Sequence, residues 1–258
     1  MEKEPFAKGG FSTVFRGWFK SQPVAVKRIR MTSGLRGRVL EEIRLHCTLK
    51  HPAVLRVVPP GFGHDAAHVY LITEYCPLGD CHAYVQRHVK ATGGGLHPNV
   101  AGPLFRQLVE GVVYLHHRGI IHRDLKLRNL LLQAPLALKI ADFGLAANTA
   151  NGSEDRRTVC GTPSTAAPEM GVAGGRHDRS VDVWALGCIL YQLLVGRSPG
   201  HQRTTRGPPL GSPPSDGFVS PRLPTDAAHL IRRLLKVNPT DRPAAAELLD
   251  HPFVSKFS

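Results

Sequence analysis

The chain has 258 residues, 42% hydrophobic and 21% charged, which suits one large domain or two smaller ones with a substantial buried core. Lys and Arg outnumber Asp and Glu 33 to 20, giving a formal net charge of +13 and a pI near 10. No apolar run of about eighteen residues occurs, so no transmembrane helix and no membrane partner are expected.

Met1-Glu2-Lys3-Glu4-Pro5 lacks the apolar stretch of a secretory leader. Cys47, Cys76, Cys81, Cys160 and Cys188 are odd in number and never spaced Cys-x-x-Cys. They are expected as free thiols in a reducing compartment, which makes the chain cytoplasmic or nuclear. The basic excess has two readings, attraction to an acidic partner or a solvated Arg-rich surface. The cations are dispersed, with Lys27-Arg28-Ile29-Arg30 the densest group, and no aromatic residues interleave with them as single-stranded nucleic-acid binding prefers. The solvated surface is favoured, an acidic protein substrate comes second, and no nucleic-acid partner is expected.

In chain order, alternation of apolar and polar residues predicts strands over 6–11, 13–19 and 23–29. Residues 35–49 have helical spacing at Leu35, Val39, Ile43 and Cys47, and His51-Pro52 stops that helix. Further strands are predicted over 54–58 and 68–73, although Val57-Val58-Pro59-Pro60-Gly61 is awkward for a central strand, because proline donates nothing to the ladder. After a linker over 74–78 the pattern turns helical: 79–88, then 98–118 with Leu104, Leu108, Val112 and Leu115 on one face. Residues 180–194 are apolar nearly all round and predict a buried helix. Amphipathic helices are expected over 225–236 and 243–249, the second with Pro243 in its first turn, and a Gly-, Pro- and Ser-rich loop over 196–224.

The densest chemical signal is His122-Arg123-Asp124-Leu125-Lys126-Leu127-Arg128-Asn129, followed by Asp142-Phe143-Gly144. Phosphoryl transfer needs groups that position the reactants and neutralise charge more than covalent chemistry. A carboxylate, a cation and a carboxamide at these offsets, beside apolar Ile120-Ile121 and Leu130-Leu131-Leu132, supply such groups. With Val24-Ala25-Val26-Lys27 upstream and Ala167-Pro168-Glu169 downstream, the chain resembles eukaryotic protein kinases from about Phe6 to about Phe253.

That resemblance implies an α+β, two-lobed kinase fold: a small antiparallel-sheet lobe with one helix (1–73), a hinge (74–78) and a larger, mainly helical lobe (79–258). It implies ATP and Mg2+ as cofactors. Lys27 would reach the α- and β-phosphates, paired with Glu41 or Glu42, and polo-type kinases favour Glu42. Asp124 would orient the substrate hydroxyl, Lys126 would stabilise the transferring phosphoryl group, Asn129 would hold one magnesium, and Asp142 would bridge metal and phosphates. Ala7-Lys8-Gly9-Gly10-Phe11-Ser12 replaces G-x-G-x-x-G with only the middle glycine in register, and Ala7 resists positive φ. Thr73 would stand behind the adenine, the backbone of Glu74 and Cys76 would bond it, and Val14, Ala25 and Leu131 would sandwich it.

Arg123 implies control by phosphorylation of the 142–169 segment, with Thr158 as the phosphosite and Thr162 as a partner of Asp124 and Lys126. Asp182 should brace the catalytic loop and Glu169 should pair with Arg242. The stretches Leu45 to Pro52, His122 to Leu132, Ile140 to Ala146 and Asp250-His251-Pro252-Phe253 resemble the polo-like kinases, in pattern the Sak type (polo-like kinase 4) above the others. That family phosphorylates Ser and Thr of protein substrates, and the Sak type controls centriole duplication. Its C-terminal polo boxes are not found here, which implies an excised domain or a kinase without its targeting region. Thr165 stands where an aromatic residue is usual, and Ser198-Pro199-Gly200 replaces Pro-Pro-Phe. An active kinase is the leading expectation, and a scaffold with a weakened nucleotide site is the alternative. No coiled-coil repeat drives dimerisation, and the oligomeric state is left open.

Overall fold

The computed structural model describes residues 2, 4–8, 12–31, 36–134, 136–148, 162–171, 177–199 and 223–258. The chain forms two compact units, one of 1–79 with 131–144 and one of 80–130 with 145–258.

The first unit is built on an antiparallel sheet of five strands in the order β1-β2-β3-β5-β4. These are β1 (Pro5–Lys8), β2 (Ser12–Phe19), β3 (Gln22–Arg30), β4 (Val57–His64) and β5 (His68–Glu74). The β2–β3 hairpin closes through Lys20 and Ser21, both at positive φ (46° and 61°), the twist that a two-residue hairpin turn requires. Helix α1 (Arg36–Thr48) covers one face, where Val39 and Ile43 close a core with Ile29, Val69 and Leu71. Strands β7 (Leu130–Gln133) and β8 (Ala137–Ile140) pair with each other, and all of them except Leu130 belong to this unit.

The strand expected over 54–58 is displaced. Val54 makes only a single parallel bridge to Ile140, and β4 starts at Val57 and runs to His64. Pro59 and Pro60 are tolerated because β4 is an edge strand and its register breaks between Val57 and Phe62, where no ladder donor is needed.

The second unit is mainly helical: α2 (Cys81–Thr92), α3 (Pro98–His117), α4 (Ser180–Val195), α5 (Thr225–Leu234) and α6 (Pro252–Ser255), with the short pair β6 (Ile120–Ile121) and β9 (Ala147–Asn148). Helix α2 starts later than predicted because the Asp80 carboxylate caps it, accepting from the Ala83 N–H at 2.8 Å. Helix α4 is buried along nearly its whole length, and Gly187 lets α5 approach. A Cβ there would lie 2.8 Å from Leu234 Cβ.

The helix expected over 243–249 is instead a 3-10 segment, Ala245–Asp250. Pro252 disfavours helical backbone at His251 (φ −67°, ψ 135°), so the segment ends there. Most of the 196–224 loop lies outside the described residues. The described cysteines Cys47, Cys76, Cys81 and Cys188 are free, and no helix among the described residues is long and apolar enough to cross a membrane.

Arg242 ties the second unit together. Its guanidinium is fully buried over the Trp184 ring (5.0 Å) and donates to Glu169 at 2.6 and 2.9 Å and to the Lys236, Val237 and Ser180 carbonyls. Removing the carboxylate leaves a buried charge without its counter-ion. Glu169→Ala should therefore cost about 3–5 kcal/mol in denaturant-unfolding stability. A cost below about 1 kcal/mol would show that the pair contributes no more than an exposed one.

Candidate active site

In the first unit, cross-strand pairing puts Val14 opposite Lys27, Lys27 opposite Leu71 and Ala25 opposite Thr73, so these side chains share one face of β2, β3 and β5. Lys27 Nζ lies 2.9 Å from Asp142 Oδ1 and 3.6 Å from Glu42 Oε1. Of the two carboxylates left open by the sequence, Glu42 is the partner. Burial works against the Lys27 ammonium, but the charges of Asp142 and then Glu42 outweigh it and hold its pKa above the ordinary value.

Asp142 adopts positive φ (66°), which Asp tolerates better than most residues, and its side chain is 47% exposed. Gly144 makes room for this cluster, since a Cβ there would sit 3.3 Å from Glu42 Oε2. The intervening Phe143 is fully buried, its ring 4.8 Å from that of His46, whose Nε2–H donates to the Leu55 carbonyl at 2.7 Å.

Ala7 pairs with Val14 and Lys8 with Thr13, so the start of the glycine-poor loop is ordinary β-hairpin. Ala7 is not among the positive-φ residues, so the backbone conformation that would penalise alanine does not arise. Ser12 opens β2; Gly9, Gly10 and Phe11 lie outside the described residues.

Thr73 and Glu74 are buried at the end of β5. The Glu74 N–H is donated to the Arg56 carbonyl, and its carboxylate takes the Arg56 N–H, the Gln133 amide and Lys139 at 3.5 Å. What Glu74 offers a base is therefore its carbonyl. Cys76, its thiol pushed up to about 12 by burial, packs with Leu131, Leu55 and Ala141.

In the second unit, the Asp124 carboxylate gathers three donors. Lys126 Nζ lies 2.6 Å from Oδ2, the Thr162 hydroxyl donates to Oδ1 at 2.8 Å, and Asn129 Nδ2 donates to the Asp124 carbonyl (2.8 Å) and to Oδ2 (3.1 Å). Lys126 also donates to Thr162 Oγ1 at 2.8 Å. Arg123 is buried at positive φ (65°) and its Nε donates to the Leu145 carbonyl. Thr158 lies outside the described residues.

Asp182 sits in the first turn of α4, almost wholly buried. It accepts the His122 N–H on Oδ2, the Arg123 N–H on Oδ1, and the ring N–H of His116 on Oδ2, each at 2.9 Å. Burial alone would raise its pKa; the hydrogen bond and charge of His116, with His122, bring it below the usual carboxylate value. His116 and His46 were missed by the sequence reading. The signal for His116 was its place on the buried stripe of α3, one turn after Val112, where a polar residue needs a partner. Gln133 and Lys139 gave no such signal.

The chain matches the protein kinase domain family over residues 2–254. The chain belongs to the protein kinase family. Similar curated proteins are each named serine/threonine-protein kinase PLK4. That of Aedes aegypti is 36% identical over 98% of this chain, that of Drosophila willistoni 38% over 97%, and that of Nematostella vectensis 37% over 96%. The matches cover 33%, 32% and 25% of those proteins, so this kinase domain spans a quarter to a third of the relatives' length. The protein kinase family uses ATP and Mg2+ and acts on proteins.

The oxygen donors present suit magnesium, a hard cation that takes one or two protein carboxylates and otherwise phosphates and water. In the first unit the exposed Asp142 carboxylate offers such oxygens, and among the described residues no cluster of three or more His, Cys, Asp or Glu competes as a metal cage. For Asp182, a folded-state pKa below the unfolded value means its stabilisation is present above about pH 4 and is lost as pH falls through the folded pKa. Asp182→Asn should therefore destabilise the kinase domain by about 1–3 kcal/mol near neutrality, and the gap to the parent protein should narrow in acid-unfolding curves. A gap that does not change with pH would refute the charge's role.

Proposed function

We propose that this domain is an active kinase that transfers the γ-phosphate of ATP to Ser and Thr hydroxyls of protein substrates. The observation that carries the reading is Lys27 held by both Glu42 and Asp142. When bound, ATP with Mg2+ supplies the phosphoryl group in transferable form.

Lys27 places its ammonium against the phosphates, fixed from one side by Glu42. Asp142 and Asn129 give oxygen ligands to magnesium. Backbone at 7–12 and at Glu74 and Cys76, with Val14, Ala25, Thr73 and Leu131, holds the nucleotide. Asp124 accepts the proton of the substrate hydroxyl as that oxygen bonds to phosphorus and the bond to the β-phosphate oxygen breaks. Lys126 neutralises charge on the phosphoryl oxygens, and Thr162 keeps the Asp124 carboxylate oriented. Phosphate on Thr158 is proposed to meet Arg123.

The division into a lobe over 1–73, a hinge over 74–78 and a lobe over 79–258 is retained for function, although 131–144 packs with the first residues. The substrate is proposed to be acidic, in keeping with the net charge of +13. A cytoplasmic site of action, at the centriole and tied to the cell cycle, follows from the polo-like resemblance. The scaffold alternative drew on Ala7, Ser12, Thr165 and the segment after Gly196; of these, Ala7 lies in a strand away from positive φ, which answers the conformational objection at that residue.

Transfer of phosphate from ATP·Mg2+ to casein tests the proposal. Lys27→Met and Asp142→Asn should each lower the rate by at least about 100-fold. Asp124→Asn should abolish transfer yet keep the thermal shift given by ATP·Mg2+. Neither transfer nor shift in the folded parent protein would overturn the reading.

A further inference from the structure

On the face of β2 that carries Val14, the far end, where Arg16 pairs with Ala25 and Trp18 with Pro23, has none of the roles above. Trp18 is 60% exposed and Phe6 53%, high values for rings of this size. They end a ladder of four side chains. The Arg16 guanidinium carbon lies 5.1 Å from the Trp18 ring centroid and 5.0 Å from that of Tyr75, and Tyr75 meets Phe6 edge-to-face at 5.7 Å. Pro23, exposed and opposite Trp18, widens the apolar end. All of these residues belong to the first unit.

A guanidinium between two rings has both faces occupied and its rotamer fixed in advance, while its edge keeps the N–H fork that suits a carboxylate. Arg16 Nε is buried in the stack without an acceptor, and the nearest carboxylate, Glu2, stands off at 4.0 Å and is itself half exposed. Beyond Trp18, Lys20 stacks on Phe19 at 5.6 Å and pairs with no carboxylate among the described residues. Phe15-Arg16-Gly17-Trp18-Phe19-Lys20 thus does interleave cations with aromatic rings, which corrects the expectation that nowhere in the chain do they alternate.

We propose that the Trp18–Arg16–Tyr75–Phe6 ladder is a docking surface for an acidic peptide segment that places a carboxylate beside an aromatic side chain. The carboxylate takes the edge of Arg16 in place of Glu2, the aromatic side chain lies against Trp18 and Pro23, and Lys20 meets a second acid. Charge complementarity selects this occupant: a second copy of a chain at +13 would be repelled, and an apolar segment would leave the guanidinium edge unsatisfied. A peptide is favoured over single-stranded nucleic acid because the ladder offers two end rings about a single fork, and not a run of stacking platforms along a basic groove.

The chain's two tryptophans make the test direct, because Trp184 is buried and a change in exposed-indole emission reports Trp18. The probe is the synthetic peptide Asp-Asp-Phe-Asp-Asp, with Asn-Asn-Phe-Asn-Asn and an oligothymidylate as the other arms, all titrated into the full chain without nucleotide. Saturable perturbation of Trp18 by the acidic peptide alone is expected. Arg16→Gln should weaken it at least about tenfold, and Glu2→Gln should tighten it by removing the competing carboxylate. Trp18→Ala, at an exposed position that folding does not need, should weaken the same peptide several-fold in calorimetry. Equal response to the neutral peptide, undiminished binding by Arg16→Gln, or a preference for the oligothymidylate would overturn the proposal. Since the readout is binding and needs no phosphate transfer, it stands or falls separately from the kinase activity.

Discussion

A carboxylate buried as deeply as Asp182 is tolerated only if donors converge on it, and here they are mostly backbone. Because the N–H groups of His122 and Arg123 are spent on one side chain of α4, the residues that follow inherit a fixed starting point. Asp124, Lys126 and Asn129 then need only local bonds to complete their arrangement. The positive φ of Arg123 is sustained by the same anchor. His116 adds the third donor from α3, so three separate stretches of chain meet at one charge.

The first unit handles charge in the opposite way. Its key cation is shared between Glu42 on α1 and Asp142 after β8, and Asp142 stays open to solvent. Rigidity comes from the apolar surroundings: Phe143 is buried against His46, and Leu131 joins Leu55, Cys76 and Ala141. An exposed carboxylate between the buried Ala141 and Phe143 can exchange an ammonium for another cation without disturbing the core.

Much of this was legible in the sequence because the chemistry depends on short spacings. The offsets from His122 to Asn129 and from Asp142 to Gly144 were read from residue order, and the pairing of Glu169 with Arg242 from the resemblance to protein kinases. Between Glu41 and Glu42 the polo-type resemblance favoured Glu42, and it is Glu42 that stands 3.6 Å from the Lys27 ammonium. The Pro59–Pro60 strand was misplaced because whether a strand is central or at an edge depends on pairing that no local pattern encodes. The 3-10 ending at 245–250 was missed because the constraint lay in the following proline. The Arg16 ladder joins β1, β2 and the residue after β5, a sum of long-range contacts with no periodic signature.

The assignment of 131–144 to the first unit bears on how the molecule is made. The chain leaves that unit after Gly79, builds α2 and α3, and comes back to add β7, β8 and Asp142 before leaving for good. During synthesis from the N-terminus, the sheet and α1 emerge early yet lack the strand pair and Phe143 that complete their interior. Over half the polypeptide must exist before Lys27 can find Asp142, so vectorial folding of the first unit is interrupted by the start of the second. A ribosome that stops before Gly144 would release a sheet with an unfinished core, a natural substrate for chaperones.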